Sequence, residues 1–246
     1  MIEVRDLVKE YDAKLALDHL SFDVEDNQVF GFLGPNGAGK STTMNILTGY
    51  LAPTSGSVKI NGYDILKNPI EAKRCIGYLP ELPPVYMELT TLEYLKFVGE
   101  AKGIKKADLA AEVQRVMEKT SIVDVQNQLI KTLSKGYRQR VGMAQAIMGD
   151  AKIIILDEPT VGLDPIQIIE FRQMIKELGE DHTVIISSHI LSEISEICSK
   201  IMMIVKGKLV AIDTPENLAA KLGDSENLSL EDIFVKLVEE NANERD

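Results

Sequence analysis

Cysteine is nearly absent from this 246-residue chain: Cys75 and Cys198 stand far apart, each without a nearby second thiol. A disulfide framework or a zinc site is therefore not expected, and reduced thiols in a cytosolic compartment fit this usage. Long apolar runs are missing too, since none approaches the ~18 residues that span a bilayer. Residues 1–6 (Met-Ile-Glu-Val-Arg-Asp) lack the basic and apolar regions of a secretory signal. The chain is not expected to cross a membrane by itself, although a partner could hold it on one. Positive charge is scarce: 27 basic residues face 38 acidic ones, a formal net charge of −11. That balance lacks the Lys and Arg excess of a nucleic-acid footprint, so no nucleic-acid partner is expected. Internal repeats and low-complexity stretches are also absent.

What is present is globular. Hydrophobic residues make up 45% and charged residues 26%, ordinary values that exclude disorder, collagen and coiled coil as overall classes. The length allows one large domain or two small ones. Short β-rich runs alternate with helical patterns, the mark of an α/β domain. Residues 29–33 read as a strand, followed by a Gly-rich turn and a helix from Ser41 to about Thr48. Ile153-Ile154-Ile155-Leu156 is apolar throughout, as a strand buried on both faces must be. Val184-Ile185-Ile186 and residues 201–205 repeat the pattern, whereas residues 58–62 read as part of an antiparallel hairpin.

Residues 86–149 break the alternation. Thr90-x-x-Glu93 is a capping box with Leu92, Leu95 and Val98 behind it. Leu109, Val113, Val116 and Met117 form a helical stripe. Pro80, Pro83 and Pro84 precede this region and predict a stiff, non-helical linker. The expected organisation is an α/β core of residues 1–85 and 150–215, a helical insertion at 86–149, and an acidic tail at 216–246. The tail holds nine acids and three bases. Leu230, Ile233, Phe234, Leu237 and Val238 give it an amphipathic stripe, read as a docked helix that frays from about Asn241.

Gly34-Pro35-Asn36-Gly37-Ala38-Gly39-Lys40-Ser41 matches the phosphate loop G-x-x-x-x-G-K-[ST], with a strand before it and a helix after. Its glycines let backbone N–H groups wrap an anion, and the helix N-terminus adds partial positive charge. Lys40 can reach β- and γ-phosphates, and the Ser41 hydroxyl can ligate Mg2+. A second element, Asp157-Glu158, ends the buried strand that starts at Ile153, where parallel sheets place their ligands. Asp157 fits the metal-side carboxylate of P-loop NTPases. Glu158 is placed to accept a proton from an attacking water.

In these motifs and their order the chain resembles the nucleotide-binding subunit of ATP-binding cassette (ABC) transporters, over about residues 2–238. The decisive stretch is Leu133-Ser134-Lys135-Gly136-Tyr137-Arg138-Gln139-Arg140, which resembles the signature separating this family from other P-loop ATPases. The resemblance implies a P-loop NTPase (RecA-like) α/β core, an N-terminal antiparallel β subdomain and a helical insertion subdomain. It implies ATP and Mg2+ as ligands, with contacts from residues 34–41 and Thr42 and an adenine stacked on Tyr11. Ser134 and Gly136 would face the γ-phosphate held by a second, identical or homologous, subunit, and Asp164 of Gly162-Leu163-Asp164 would cross that interface. Read locally, Ser134 is also a helix N-cap. His189 resembles the switch histidine that senses the γ-phosphate; His19 and His182 match no motif.

Two departures from the common family pattern stand out. Glu81 replaces a usual Gln, so a carboxylate that can ligate Mg2+ adds negative charge beside the phosphates. Lys135 and Tyr137 replace a common Gly and Gln, whereas Gly136 is kept. Both departures resemble the ATPases of ABC-2-type exporters, including those associated with gliding motility. The implied function is a transport ATPase on the inner face of the cell membrane, driving a separate membrane-spanning permease. A soluble ABC-type ATPase acting on ribosomes or DNA is the alternative, but such relatives usually carry tandem cassettes or long coiled-coil and basic insertions. A P-loop kinase would leave Ser134, Gly136 and His189 without a role.

Overall fold

Residues 1–12, 14–149, 151–222 and 234–236 are described by the structure, a computed structural model. Strands β1 (Ile2–Tyr11) and β2 (Lys14–Val24) pair antiparallel, with Ile2 opposite Val24. Their register shifts between Val4 and Leu7 and again between Leu7 and Lys9, and Asp6 and His19 adopt φ of 50° and 55°. Such bulges bend the ribbon and interrupt its inside–outside alternation. Strand β3 (Val29–Leu33), buried at all 5 positions, runs into the Gly-rich turn and helix α1 (Lys40–Leu47). Strand β4 (Ser55–Ile60) pairs with β1, and a turn at Asn61 and Gly62, both at positive φ, reverses it into β5 (Tyr63–Asp64). The hairpin expected at residues 58–62 is thus the end of β4 and its turn.

Helix α2 (Pro69–Arg74) leads to strand β6 (Ile76–Leu79). The three prolines follow in irregular chain, and then come α3 (Thr91–Ala101), α4 (Lys106–Lys119) and α5 (Lys135–Ile147). Thr90 and Glu93 form the capping box, with the Thr90 N–H donating to Glu93 Oε2 at 2.8 Å. Leu109, Val113, Val116 and Met117 are the buried face of α4, as their spacing requires. Strand β7 (Ile153–Asp157), helix α6 (Pro165–Asp181), strand β8 (Thr183–Ser188), helix α7 (Leu191–Ser195), strands β9 (Lys200–Val205) and β10 (Lys208–Asp213) and helix α8 (Pro215–Leu222) follow.

Two sheets result. One is four-stranded, in the order β2-β1-β4-β5; the other is six-stranded, in the order β10-β9-β3-β8-β7-β6. In the larger sheet β9, β3, β8, β7 and β6 run parallel, and β10 is antiparallel to β9. Each central strand is apolar on both faces, yet alternate residues enter different cores. Val29, Leu33, Ile154, Leu156, Val184 and Ile186 join the helices of the insertion and α6. Phe30, Phe32, Ile153, Ile155 and Ile185 meet the four-stranded sheet and α1. Phe22 of β2 packs edge-on to Phe32, with ring centres 5.3 Å apart, and so ties the two sheets together.

Cys75 and Cys198 are both free thiols, and burial raises the pKa of Cys198. Among the described residues no helix is long and apolar enough to cross a membrane. Of the tail stripe, Phe234 packs half-buried on the helix-side core. Leu230, Ile233, Leu237 and Val238 lie outside the described residues.

Candidate active site

The C-terminal ends of β3, β7 and β8 lie side by side, and each opens into a loop bearing site residues. After β3, the phosphate loop turns at Gly37 and Gly39, with φ of 79° and 106°. Gly39 caps α1, so the N–H groups of the first helical turn point into the loop. Glycine is needed at Gly39 twice over: its φ disfavours a side chain, and a Cβ there would stand 2.8 Å from the Ala16 carbonyl. At Gly34 a Cβ would come within 2.4 Å of the Ile204 carbonyl. The Ala38 N–H donates to Pro35 O at 3.1 Å, and the Gly207 N–H donates to Ala38 O at 2.9 Å. The loop is therefore moored to the β9–β10 turn.

Lys40, at the start of α1, is 5% exposed. Its ammonium donates to Gly34 O at 2.8 Å and lies 3.2 Å from Glu158 Oε1. Buried charge needs such partners, and here it has both a carbonyl and a carboxylate. Asp157 ends β7, where its Oδ1 accepts from Ser41 Oγ at 3.3 Å and from Ser187 Oγ at 2.5 Å. Burial, followed by the Asp157 charge, pushes the Tyr78 phenol up to about 12. Glu158 sits at φ 47°, strained for a side-chain-bearing residue. Its N–H donates to Ser187 Oγ at 3.0 Å, and its Oε2 lies 2.9 Å from His189 Nδ1. His189 follows β8 directly. The strand runs on through Ser187 and Ser188, past the Ile186 end read from the sequence, because its backbone still pairs with β3 at Phe32 and Leu33 and both hydroxyls find buried partners.

Lys40, Glu158 and His189 line one cleft of about 520 Å3, together with Tyr11, Asn36, Gly37, Gly39, Ser41, Thr42 and Glu81; Asp157 is not in its wall but touches it through Ser41. The donor set fits Mg2+, which takes one or two carboxylates plus phosphates and waters: the Ser41 hydroxyl and the Asp157 carboxylate already touch. Tyr11 is 44% exposed at the cleft mouth, with the Lys9 ammonium 5.1 Å from its ring centre. Its free face can take a planar base.

The family profile described as "ABC transporter" matches residues 17–161, more than half the chain. An uncharacterized ABC transporter ATP-binding protein of Bacillus subtilis is 37% identical over 98% of this chain and 76% of its own length. The chain belongs to the ABC transporter family. It is an ATP-binding subunit of that family and an ATPase. The bacitracin transport ATP-binding protein BcrA of Bacillus licheniformis is 40% identical, over 85% of this chain and 68% of its own. A solved ATP-binding subunit of an ABC transporter superposes with a TM-score of 0.86 at 29% identity, covering 96% of this chain and 99% of that one.

The remaining residues expected from the ABC resemblance lie away from the cleft of their own chain. Ser134 caps α5, its hydroxyl accepting from the Tyr137 N–H at 3.3 Å. Gly136 packs on Gln167, which a Cβ would approach to 2.6 Å. Asp164 caps α6, accepting from the Ile166 and Gln167 N–H groups at 3.0 Å. Gly136 and Gln167 border a separate hollow of about 610 Å3. His182 Nδ1 lies 2.8 Å from Ala151 O, a structural contact, and His19 pairs with Asp6 on the exposed β1–β2 ribbon.

The sequence reading missed Lys14, Ala16 and Val161, which line the cleft. It also missed Ser187 and Glu193. A signal for the serines was available: two hydroxyl residues close an apolar strand just before a histidine.

Proposed function

We propose that this chain is the motor subunit of an ABC-2-type exporter. Two copies, or this chain and a homologue, would sandwich two ATP molecules, each held by one chain's phosphate loop and the other's Ser134 and Gly136. The ATP-binding core would be residues 1–85 and 150–215, with the signature carried by residues 86–149. The transport named for BcrA, the Glu81 and Lys135/Tyr137 departures, and the family membership support this reading. The observation that carries it is the meeting of Lys40, Glu158 and His189, with Glu158 within 3.2 Å of one and 2.9 Å of the other.

Lys40 would bind the β- and γ-phosphates, and incoming phosphate oxygens would compete with Glu158 for its ammonium. Glu158, then freed on one side, would take the proton of the attacking water, with His189 fixing the carboxylate from the other side. Tyr11 would stack on adenine. Asp164 would reach the second subunit. Ser41 and Asp157, with Glu81 of the same cleft, would hold Mg2+, which would supply charge neutralisation at the phosphates. Closure around ATP would exclude water and complete the site.

The permease would dock on the insertion side. Leu82, Tyr86 and Phe97 are 76%, 53% and 45% exposed, and the Tyr86 and Phe97 rings sit 5.2 Å apart. An exposed aromatic cluster is the composition of a protein interface core. Through that partner the chain would sit on the inner face of the cell membrane.

The test is Glu158→Gln, which keeps the shape and removes the base. The expected outcome is ATP binding within a few-fold of wild type, turnover lowered about 100-fold or more, and a dimer on size exclusion with ATP. Turnover near wild type would overturn the assignment of the base.

A further inference from the structure

Glu193 is a buried carboxylate for which the hydrolytic mechanism above has no use. It lies on α7 and is 5% exposed. Its Oε2 accepts from Thr160 Oγ1 at 2.7 Å and from Ser188 Oγ at 3.3 Å. Ser188 Oγ in turn accepts from the Ile190 N–H at 3.0 Å. Its other oxygen faces Arg172 of α6 at 4.0 Å, and Arg172 is bonded to Glu196 at 2.7 Å. Thr160 and Ser188 are 5% and 1% exposed, so these contacts are made away from water. A buried carboxylate persists only where donors replace its hydration, and here the donors are specific.

The placement of those donors gives the network a function. Thr160 is two residues after Glu158, on the loop leaving β7. Ser188 is one residue before His189, at the end of β8. One oxygen of Glu193 therefore clamps together the two segments that carry the Glu158–His189 pair. The last backbone bond between β7 and β8 runs from the Glu158 N–H to Ser187 O at 3.2 Å, so that ladder stops short of the Thr160 loop and of His189. We infer that Glu193 is a positioning residue: it fixes His189 against Glu158 by bracing their loops from behind, and through Arg172 it ties that brace to α6.

The inference rests on the proposed roles of Glu158 and His189. A shift of about 1 Å in a catalytic pair can lower turnover about 100-fold while ground-state binding is kept. In the intact chain, Glu193→Ala is expected to lower kcat for ATP about ten- to 100-fold, with KM within about twofold. Glu193→Gln keeps an acceptor oxygen for both hydroxyls, and is expected to restore kcat to within a few-fold of wild type. Thr160→Val, nearly isosteric, provides a second route should Glu193→Ala fold poorly, and is expected to lower kcat without moving KM. In a His189→Ala background, Glu193→Ala should add little further loss, because the two act through one contact. Full kcat in Glu193→Ala and Thr160→Val, while Glu158→Gln is inactive, would overturn the brace and leave the site assignment intact. Losses that multiply with His189→Ala, or that Glu193→Gln does not rescue, would overturn it as well. An active Glu158→Gln enzyme would remove both readings together.

Discussion

Gly39 shows how tightly one residue can be specified. Its φ of 106° and the Ala16 carbonyl 2.8 Å from any added Cβ leave no low-energy pose for alanine. Gly39→Ala should lose about 1–3 kcal/mol of stability and bind ATP more weakly, because the wrapped N–H groups must rotate. Chemical denaturation and calorimetric titration with a slowly hydrolysed ATP analogue would measure the two effects. At this scale the sequence was most readable where chemistry demands a residue type at a fixed offset. Lys40, Ser41, Asp157 and Glu158 fall in that class, each on a strand end or helix start that its own neighbours predict. Ser187 and Glu193 do not. The paired serines before His189 mark Ser187 as unusual, but its partner follows only from the register that sets Asp157 opposite it, and the contacts of Glu193 with Thr160 and Ser188 are tertiary as well.

Elements were legible in proportion to how clean their periodicity was. Helix α3 announces itself through Thr90 and Glu93, and α4 through its four-residue stripe. The β1–β2 ribbon does not, because its bulges at Asp6 and His19 break the two-residue alternation. Helix α7 is 5 residues long, too short for a period to show. Between elements, α4 and the end of α5 are joined by Glu112. Burial raises its pKa, but Arg115 Nε and Nη2, each 2.7 Å away, and the Gly149 N–H at 2.8 Å outweigh this and hold it below its ordinary 4.5. A depressed acid binds its proton less readily when folded, so its stabilisation is present above the unfolded value and disappears as pH falls through the folded one. Between pH 5 and pH 3, wild-type stability should therefore fall more steeply than that of Glu112→Gln. Urea midpoints measured across that range would show the two curves converging in acid; parallel curves would argue against the ion pair as the cause.

For the whole molecule, the six-stranded sheet separates two tasks. One face carries the four-stranded sheet, α1 and α2; the other carries α3–α6 and, beyond them, the exposed aromatic patch of Tyr86 and Phe97. The proposed permease surface and the chemistry can thus be perturbed separately. Tyr86→Ala combined with Phe97→Ala should weaken recovery of the permease from solubilised membranes about tenfold or more, as loss of interface aromatics does. ATP turnover of the isolated chain should stay near wild type. A fall in isolated turnover instead would place the patch within the site's own support.

The ends of β3, β7 and β8 become neighbours only when the sheet has closed across more than a hundred residues of chain, as the Ser41–Asp157 contact, 116 residues apart, records. A chain in which β3 and β7 have not yet met would not bring Ser41 and the proposed metal-side carboxylate Asp157 together. Nucleotide held by both segments would therefore favour the finished fold. At 100 times its dissociation constant, ATP would add about 2.7 kcal/mol to the folded state. A cell rich in ATP would thus protect completed copies from proteolysis while leaving stalled ones open to it. The substrate of the motor would also be the check on its manufacture.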